Sequence, residues 1–266
     1  MSEIEFSLVL PAYNSARYIA KNVTRVVDFF ERIGLEAELV VADDGSTDGT
    51  ADAVPVSANV RVLRLPHRGK GGALRSGMVA ARGEIRGFTD SDLPYGLDLL
   101  PLAIRWIRER RYHAVIGDRT LPGSEYESAG AERTALSGLA SFVFRTLVTG
   151  GIYDTQCGFK VFRGDAAAEV FRLARVDGFA IDVEVIYLLL KYRLDIKRIP
   201  VQLVDNGPST VRVLRDSVRA GRDVASIRMN WASGRYRSRN LEGIFRDDSR
   251  ADLEDLAIHR SASRNG

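Results

Sequence analysis

The sequence predicts an α/β protein, a mostly parallel sheet flanked by helices, and three observations predict it. Short apolar runs alternate with helical patterns through the first half of the chain, as parallel strands joined by crossover helices require. Polar clusters follow those runs at one end only: Tyr13-Asn14 after the first, Asp43-Asp44-Gly45 after the second, Asp90-Ser91-Asp92 after the fourth. A doubly wound sheet binds its ligand at the carboxyl ends of its strands, which accounts for that placement. Of the 266 residues 45% are hydrophobic and 27% charged, enough to bury a core.

In chain order, the apolar runs Phe6–Leu10, Ala37–Ala42, Val60–Leu65, Ile85–Thr89 and Ala114–Ile116 read as strands. Helical patterns fall between them at about Ala16–Ile33, Gly71–Ala81 and Leu97–Arg110. Ala131–Gly150 reads as a helix in which Glu132, Arg133 and Arg145 are the charged residues. A short strand (Lys160–Phe162), two helices (Ala166–Arg175, Ile181–Tyr192) and a strand (Lys197–Val204) follow. Val211–Met229 reads as an amphipathic helix carrying Arg212, Arg215, Arg219, Arg222 and Arg228. Residues 1–230 are therefore expected to form one domain with a helical C-terminal extension. Residues 231–266, polar and without long apolar periodicity, are expected to be a tail that is loosely ordered or docks in an oligomer.

Composition narrows the function classes. There are 38 Lys and Arg against 35 Asp and Glu, a net charge of +3 that gives no support to nucleic-acid binding. The single cysteine, Cys157, excludes an intrachain disulfide framework and fits a reducing, cytoplasmic compartment. No run approaches the roughly 18 apolar residues of a membrane span, and MSEIEF does not read as a signal peptide. The helix at 131–150 places Leu136, Leu139, Phe142, Val143 and Leu147 on one face. That stripe, flanked by arginines, fits a peripheral membrane contact; it fits equally the core or a homodimer face.

Four segments carry chemistry. Asp90 and Asp92, two apart at a strand end, can converge on one hard cation such as Mg²⁺ or Mn²⁺. Asp92 could instead cap the following helix, since Pro94 stands near a first-turn position. The segment 43–50, Asp-Asp-Gly-Ser-Thr-Asp-Gly-Thr, reads either as turn chemistry or as carboxylate acceptors for a base edge or ribose hydroxyls. The basic, glycine-rich run from His67 to Gly77 fits neither the P-loop nor G-x-G-x-x-G, but suits an anion at a helix N-terminus. Its other reading is a solvated loop. In the polar cluster Asp154–Lys160, Cys157 has no Cys–His pairing motif and reads as a small packing thiol.

Taken in order, Val9–Asn14, the segment 43–50, Arg68–Gly77, the D-x-D at 90–92 and Asp154–Phe162 resemble the inverting family 2 glycosyltransferases. The last, with Gly69-Lys70-Gly71-Gly72, is most similar to the branch that makes polyprenyl-phosphate sugars, such as dolichyl-phosphate glucosyltransferases. Arg212–Ser217 echoes that branch's late basic segment. The resemblance implies a GT-A fold, a Rossmann-like sheet, with a divalent metal as cofactor. It implies transfer of a hexose from a nucleotide sugar, UDP-glucose by resemblance, to a polyprenyl phosphate at a membrane surface. Pro11, Ala12, Tyr13, Asn14, Asp43, Asp44, Lys70, Arg75, Asp90 and Ser91 would hold the donor, with Arg119 and Arg133 on the phosphates. Asp90 and Asp92 would hold the metal, and Gln156, Lys160 and Arg212 the acceptor. A phosphate acceptor is already anionic and needs no base; a soluble hydroxyl acceptor would need one, from Asp154, Asp182 or Glu184. The intact D-x-D argues against a non-catalytic binding module. The chain departs from the family pattern at Ser15, where Glu is common, at Pro94, where Gln is common, and at Ser209-Thr210, where Ser-Lys is usual.

Overall fold

A computed structural model of the chain describes residues 4–109, 112–124, 152, 154–204, 213–246 and 248. The helix expected at 131–150, with Arg133, lies outside these residues, as does Arg212. Seven strands form one sheet: β1 (Phe6–Ala12), β2 (Ala37–Asp43), β3 (Val60–Arg64), β4 (Ile85–Phe88), β5 (Ala114–Asp118), β6 (Lys160–Arg163) and β7 (Ile196–Pro200). Their order is β3-β2-β1-β4-β6-β5-β7. Pairings among β1–β4 are parallel and so is β5 with β7; only β6, between β4 and β5, runs antiparallel to both.

Helices α1 (Ile19–Arg32), α2 (Thr50–Ala53), α3 (Lys70–Ala80), α4 (Leu100–Arg108), α5 (Gly164–Leu173), α6 (Ile181–Lys191) and α7 (Val213–Ala232) are followed by α8 over 239–246. Alternation along the strands divides the core in two. Leu8 and Leu10 of β1 and Leu39 and Val41 of β2 face α1 and α4, whereas Val9, Val40 and Ala42 face α3, α5 and α6. Helix α3 lies close on the sheet because it is built of small residues; a Cβ on Gly77 would stand 2.4 Å from Val9 Cγ1.

Several boundaries differ from expectation for local reasons. Helix α1 begins at Ile19 because Ser15–Tyr18 form a turn, the amides of Tyr18 and Ile19 both donating to Ser15 O at 3.0 Å. Strand β7 stops at Pro200, which has no N–H for a ladder, and Val204 instead donates to Pro94 O at 2.8 Å. Of the expected tail, the structure describes residues 231–246 and 248. Residues 231–246 pack on the domain itself: Tyr236 and Leu241 are fully buried and join the cluster of α5 and α6. A few apolar residues scattered through a polar stretch leave little periodicity to read, yet Tyr236 and Leu241 fill core positions and Trp231, Ile244 and Phe245 pack against the same cluster. Among the described residues, no helix is long and apolar enough to cross a membrane.

Candidate active site

The carboxyl ends of β1, β2 and β4 bring Tyr13-Asn14, the segment 43–50 and the D-x-D to one place. After β1, Tyr13 stacks on His67 with ring centroids 4.3 Å apart. Asn14 has φ +49, a left-handed conformation that asparagine tolerates better than most residues. Its side-chain oxygen accepts from the Thr47 amide at 3.0 Å, and its own amide donates to the Ser46 hydroxyl at 2.9 Å. The loops after β1 and β2 are thereby fastened together. Pro11 and Ala12 pair with Ala42 and Asp43 across the strand ends. Asp43 is buried and accepts a short hydrogen bond from the Ser46 hydroxyl.

Asp44 shapes the loop that follows β3. Its carboxylate accepts the amides of Arg68 and Gly69, both at 2.8 Å, and pairs with His67 Nδ1 at 2.9 Å. Both oxygens hold the shape of the glycine-rich loop. That loop, in turn, does not present its helix N-terminus to an anion. Gly71 and Gly72 donate to the carbonyl of Asp177 at 2.8 and 3.3 Å. A Cβ on Gly69 or Gly71 would stand 2.5 or 2.3 Å from the carbonyls of Asp177 and Val176. The glycines serve a close backbone contact with the loop after α5. Arg75 reinforces it, bonding the Asp177 carboxylate at 2.6 Å and Ala174 O at 3.2 Å.

Lys70 points into the crevice. Its Nζ is 2.6 Å from Asp90 Oδ1 and 3.7 Å from Asp182 Oδ2. Burial opposes its charge, but Asp90, Asp182 and Asp92 outweigh burial and raise its pKa, so it stays an ammonium. Asp182, buried, is bonded at 2.5 Å by Lys160 Nζ, itself fully buried, bonded to Cys157 O at 2.6 Å and seated over the Phe88 ring. The four charges alternate in sign from Asp90 through Lys70 and Asp182 of α6 to Lys160 of β6. The other Asp90 oxygen lies against Gly158, where a Cβ would come within 2.1 Å. That contact joins the D-x-D to the segment 154–160. Asp92 is exposed, as is Gln156, while Ser91 is buried. The D-x-D turn is held by Asn22 of α1, which donates to Ser91 O at 2.9 Å, and by the Leu93 amide on Asp90 O. Leu93 takes φ +52, a strained conformation for a branched side chain, because its side chain is buried in the core.

Asp154 and Arg119 bind each other: the guanidinium grips both oxygens at 2.7 Å and the Arg119 amide adds a third bond at 2.8 Å. Burial acts to raise the Asp154 pKa, but Arg119 outweighs it and the result is lowered, the wrong direction for a base. Glu184 faces the loop after α5, not the crevice. It accepts the amides of Arg175 and Val176 and the Tyr236 hydroxyl, and burial raises its pKa. Cys157 is fully buried with its thiol pushed up to about 11 by burial, the packing role expected. Asn22, Asp177 and Tyr236 were not expected at the site, and His67 was expected only as the start of the glycine-rich run. Of the first three, only Asn22 left a signal, a polar residue on the apolar stripe of α1.

Residues 7–171 match the family described as glycosyl transferase family 2. The chain belongs to that family. It is a glycosyltransferase with a GT-A fold. Dolichyl-phosphate beta-glucosyltransferase of Saccharomyces cerevisiae is 30% identical over 261 residues, covering 88% of this chain and 77% of the relative. The enzyme of the same name from Homo sapiens is 29% identical, covering 88% and 78%. In fold the transferase is similar to mannosyl-3-phosphoglycerate synthase of Rubrobacter xylanophilus, with TM-score 0.63 at 21% identity over 87% of this chain and 76% of that one. It is similar also to glucosyl-3-phosphoglycerate synthase of Mycobacterium tuberculosis, solved with Mn²⁺, UDP-glucose and phosphoglyceric acid, with TM-score 0.61 at 21% identity over 85% and 79%.

Proposed function

We propose that the transferase moves glucose from UDP-glucose to a polyprenyl phosphate with inversion at the anomeric carbon, working at a membrane surface. The acceptor's phosphate oxygen bonds to C1 as the C1–O bond to the diphosphate breaks, and the electron pair leaves with UDP. The observation that carries this reading is the commitment of all three carboxylates expected as bases. Asp154 is gripped by Arg119, Glu184 by backbone amides and Tyr236, and Asp182 lies between two lysines. A hydroxyl acceptor would need one of them free; a phosphate acceptor is anionic already and needs none. The curated relatives named above support the same acceptor and sugar.

On the donor side, Tyr13 offers an exposed ring for the base, and Asp43 stands behind it at the end of β2. Lys70 carries the positive charge that a leaving diphosphate needs, placed before the reaction begins. The carboxylates fit a divalent cation in one mode: exposed Asp92, with Asp90 beside it, is the one- or two-carboxylate seat that substrate phosphates complete. Among the described residues, no third His, Cys, Asp or Glu joins them, so a cage made by protein alone is not the fit. A cation held there would neutralise charge on the leaving diphosphate. Lys160 and Asp182 fix Lys70 from behind. Gln156, exposed on the adjoining segment, remains for the acceptor, with Arg133 and Arg212 proposed from sequence alone.

The test offers UDP-glucose, UDP-N-acetylglucosamine and GDP-mannose, each with Mn²⁺, to lipid-phosphate and soluble acceptors. Transfer from UDP-glucose to the lipid phosphate is expected. Asp92→Asn and EDTA are each expected to lower the rate at least about a hundredfold with the fold retained. Full activity in EDTA, or transfer only to soluble hydroxyls, would overturn the reading.

A further inference from the structure

The loop after α5 forms the wall on which the glycine-rich loop rests. The Asp177 carbonyl receives Gly71 and Gly72, and the Val176 carbonyl lies where a Gly71 Cβ would be. Whatever fixes residues 175–178 therefore fixes the backbone that aims Lys70 at Asp90. Arg68 and Arg75 hold the Asp177 side chain, and Glu184 holds the backbone before it, its carboxylate taking the amides of Arg175 at 2.9 Å and Val176 at 2.9 Å. Behind Glu184 stands the hydroxyl of Tyr236, fully buried and donating to the same carboxylate. Tyr236 is itself locked in place. The Tyr192 hydroxyl donates to its carbonyl at 2.5 Å and accepts the Ser238 amide at 2.7 Å. The stretch from Tyr236 to Leu241 lies beyond the residues matched to the family.

We propose that Tyr236 is a positioning residue for the donor site. Through Glu184 it holds the loop 175–178, and through that loop it sets Lys70 against Asp90. The C-terminal segment is thus a strap that tightens the glycine-rich loop from behind, without touching substrate. The proposal rests on the assignment of Lys70 to the donor site.

Tyr236→Phe in the full chain removes one hydroxyl and keeps the buried ring. Hydrogen exchange is expected to quicken about tenfold in peptides covering 69–74 and 175–178, with β1 and β2 unchanged. Tyr192→Phe acts one link further back, removing the lock on the Tyr236 carbonyl while leaving the Tyr236 hydroxyl on Glu184, so exchange at 69–74 should quicken in the same direction and by less. In kinetics, Tyr236→Phe is expected to lower kcat about tenfold, and to add nothing further in a Lys70→Ala background. If Tyr236→Phe does not fold, Glu184→Gln, which keeps the side-chain volume and one carbonyl acceptor, replaces it with the same expectations. Unchanged exchange at 69–74, or effects of the two substitutions that multiply, overturns the strap. Full activity of Lys70→Ala overturns the assignment of Lys70 instead, and the exchange result tells the two failures apart.

Discussion

Asp90 shows how closely two residues can depend on each other across the fold. One oxygen is bonded to Lys70 and the other occupies the space a side chain at 158 would take. Gly158→Ala would put a methyl group 2.1 Å from that oxygen, and the carboxylate is the part able to move. The expected outcome is a folded protein with an unfolding midpoint within a few degrees of wild type, because no backbone atom is displaced. Its rate should fall about tenfold or more, since Asp90 would leave both Lys70 and the metal seat, and 1.4 kcal/mol of lost transition-state stabilisation already gives a factor of ten. Comparing steady-state rates with thermal melts of the two proteins checks it. Unchanged activity would mean that the seat of Asp90 is irrelevant to turnover. The same residue marks a limit of sequence reading. The D-x-D at a strand end was legible, but its contact with Gly158 joins residues almost seventy positions apart and left no local signature.

At the scale of elements, the site end of the sheet has a counterpart at the opposite end, where a buried charge does structural work. Glu38 of β2 accepts the Ser7 hydroxyl of β1 at 2.8 Å, the Arg82 amide at 2.7 Å, and the guanidiniums of Arg82 and Arg61 at 2.8 and 2.9 Å. Burial alone would raise its pKa; the arginines and the hydroxyl overcome that and bring it from 4.5 to about 2. A carboxylate with a depressed folded pKa stabilises the protein above its unfolded value, and that stability is lost as pH falls through the folded one. Glu38 therefore contributes fully above about pH 4.5 and progressively less down to pH 2. The contribution is roughly 2–3 kcal/mol, held to the low end because the arginine heads are partly solvated. Denaturation of wild type and Glu38→Gln should differ by that amount at pH 6, and the gap should close between pH 4.5 and 2. A gap that stays constant over that range would rule out the titration of Glu38 as its source.

Elements were also what the sequence disclosed best. The strands β1–β5 and helices α1, α3, α5 and α6 are legible because each carries an apolar face of definite period, and their polar ends marked the crevice. What stayed hidden was commitment. Asp44, Arg75, Asp154 and Glu184 have the residue types of a binding site, and each spends its charge on a backbone amide or an opposite charge. Chemistry of the side chain announces what it can bind, whereas its partner is set by tertiary packing, and packing has no period to read. Lys160 and Asp182, by contrast, were named as site residues from the sequence and do meet, though as a buried pair behind the site.

On the scale of the whole molecule, the last described segment decides whether the sheet's second face is closed. Helix α7 brings Trp231 against Tyr187 of α6 and against Tyr192 just after it, with Ile227 in the same cluster, to which the chain after α7 adds Tyr236 and Leu241. A chain ending at Ala232 would lose both buried side chains, about 1.5–3 kcal/mol each on exposure to water. It would also leave the Glu184 carboxylate buried with one donor fewer, a further cost of about 1–3 kcal/mol. These losses together approach the 5–15 kcal/mol that ordinarily separates a folded domain from its unfolded chain. The truncated protein is therefore expected to melt far below wild type and to be partly unfolded at 37 °C. Leu241→Ala, which empties one site only, should cost about 2–4 kcal/mol and remain folded at 25 °C. Urea titrations of the three proteins check both statements. If truncation costs no more than Leu241→Ala, Tyr236 contributes nothing to holding the face closed, and the segment would be the loosely attached tail that its composition predicts.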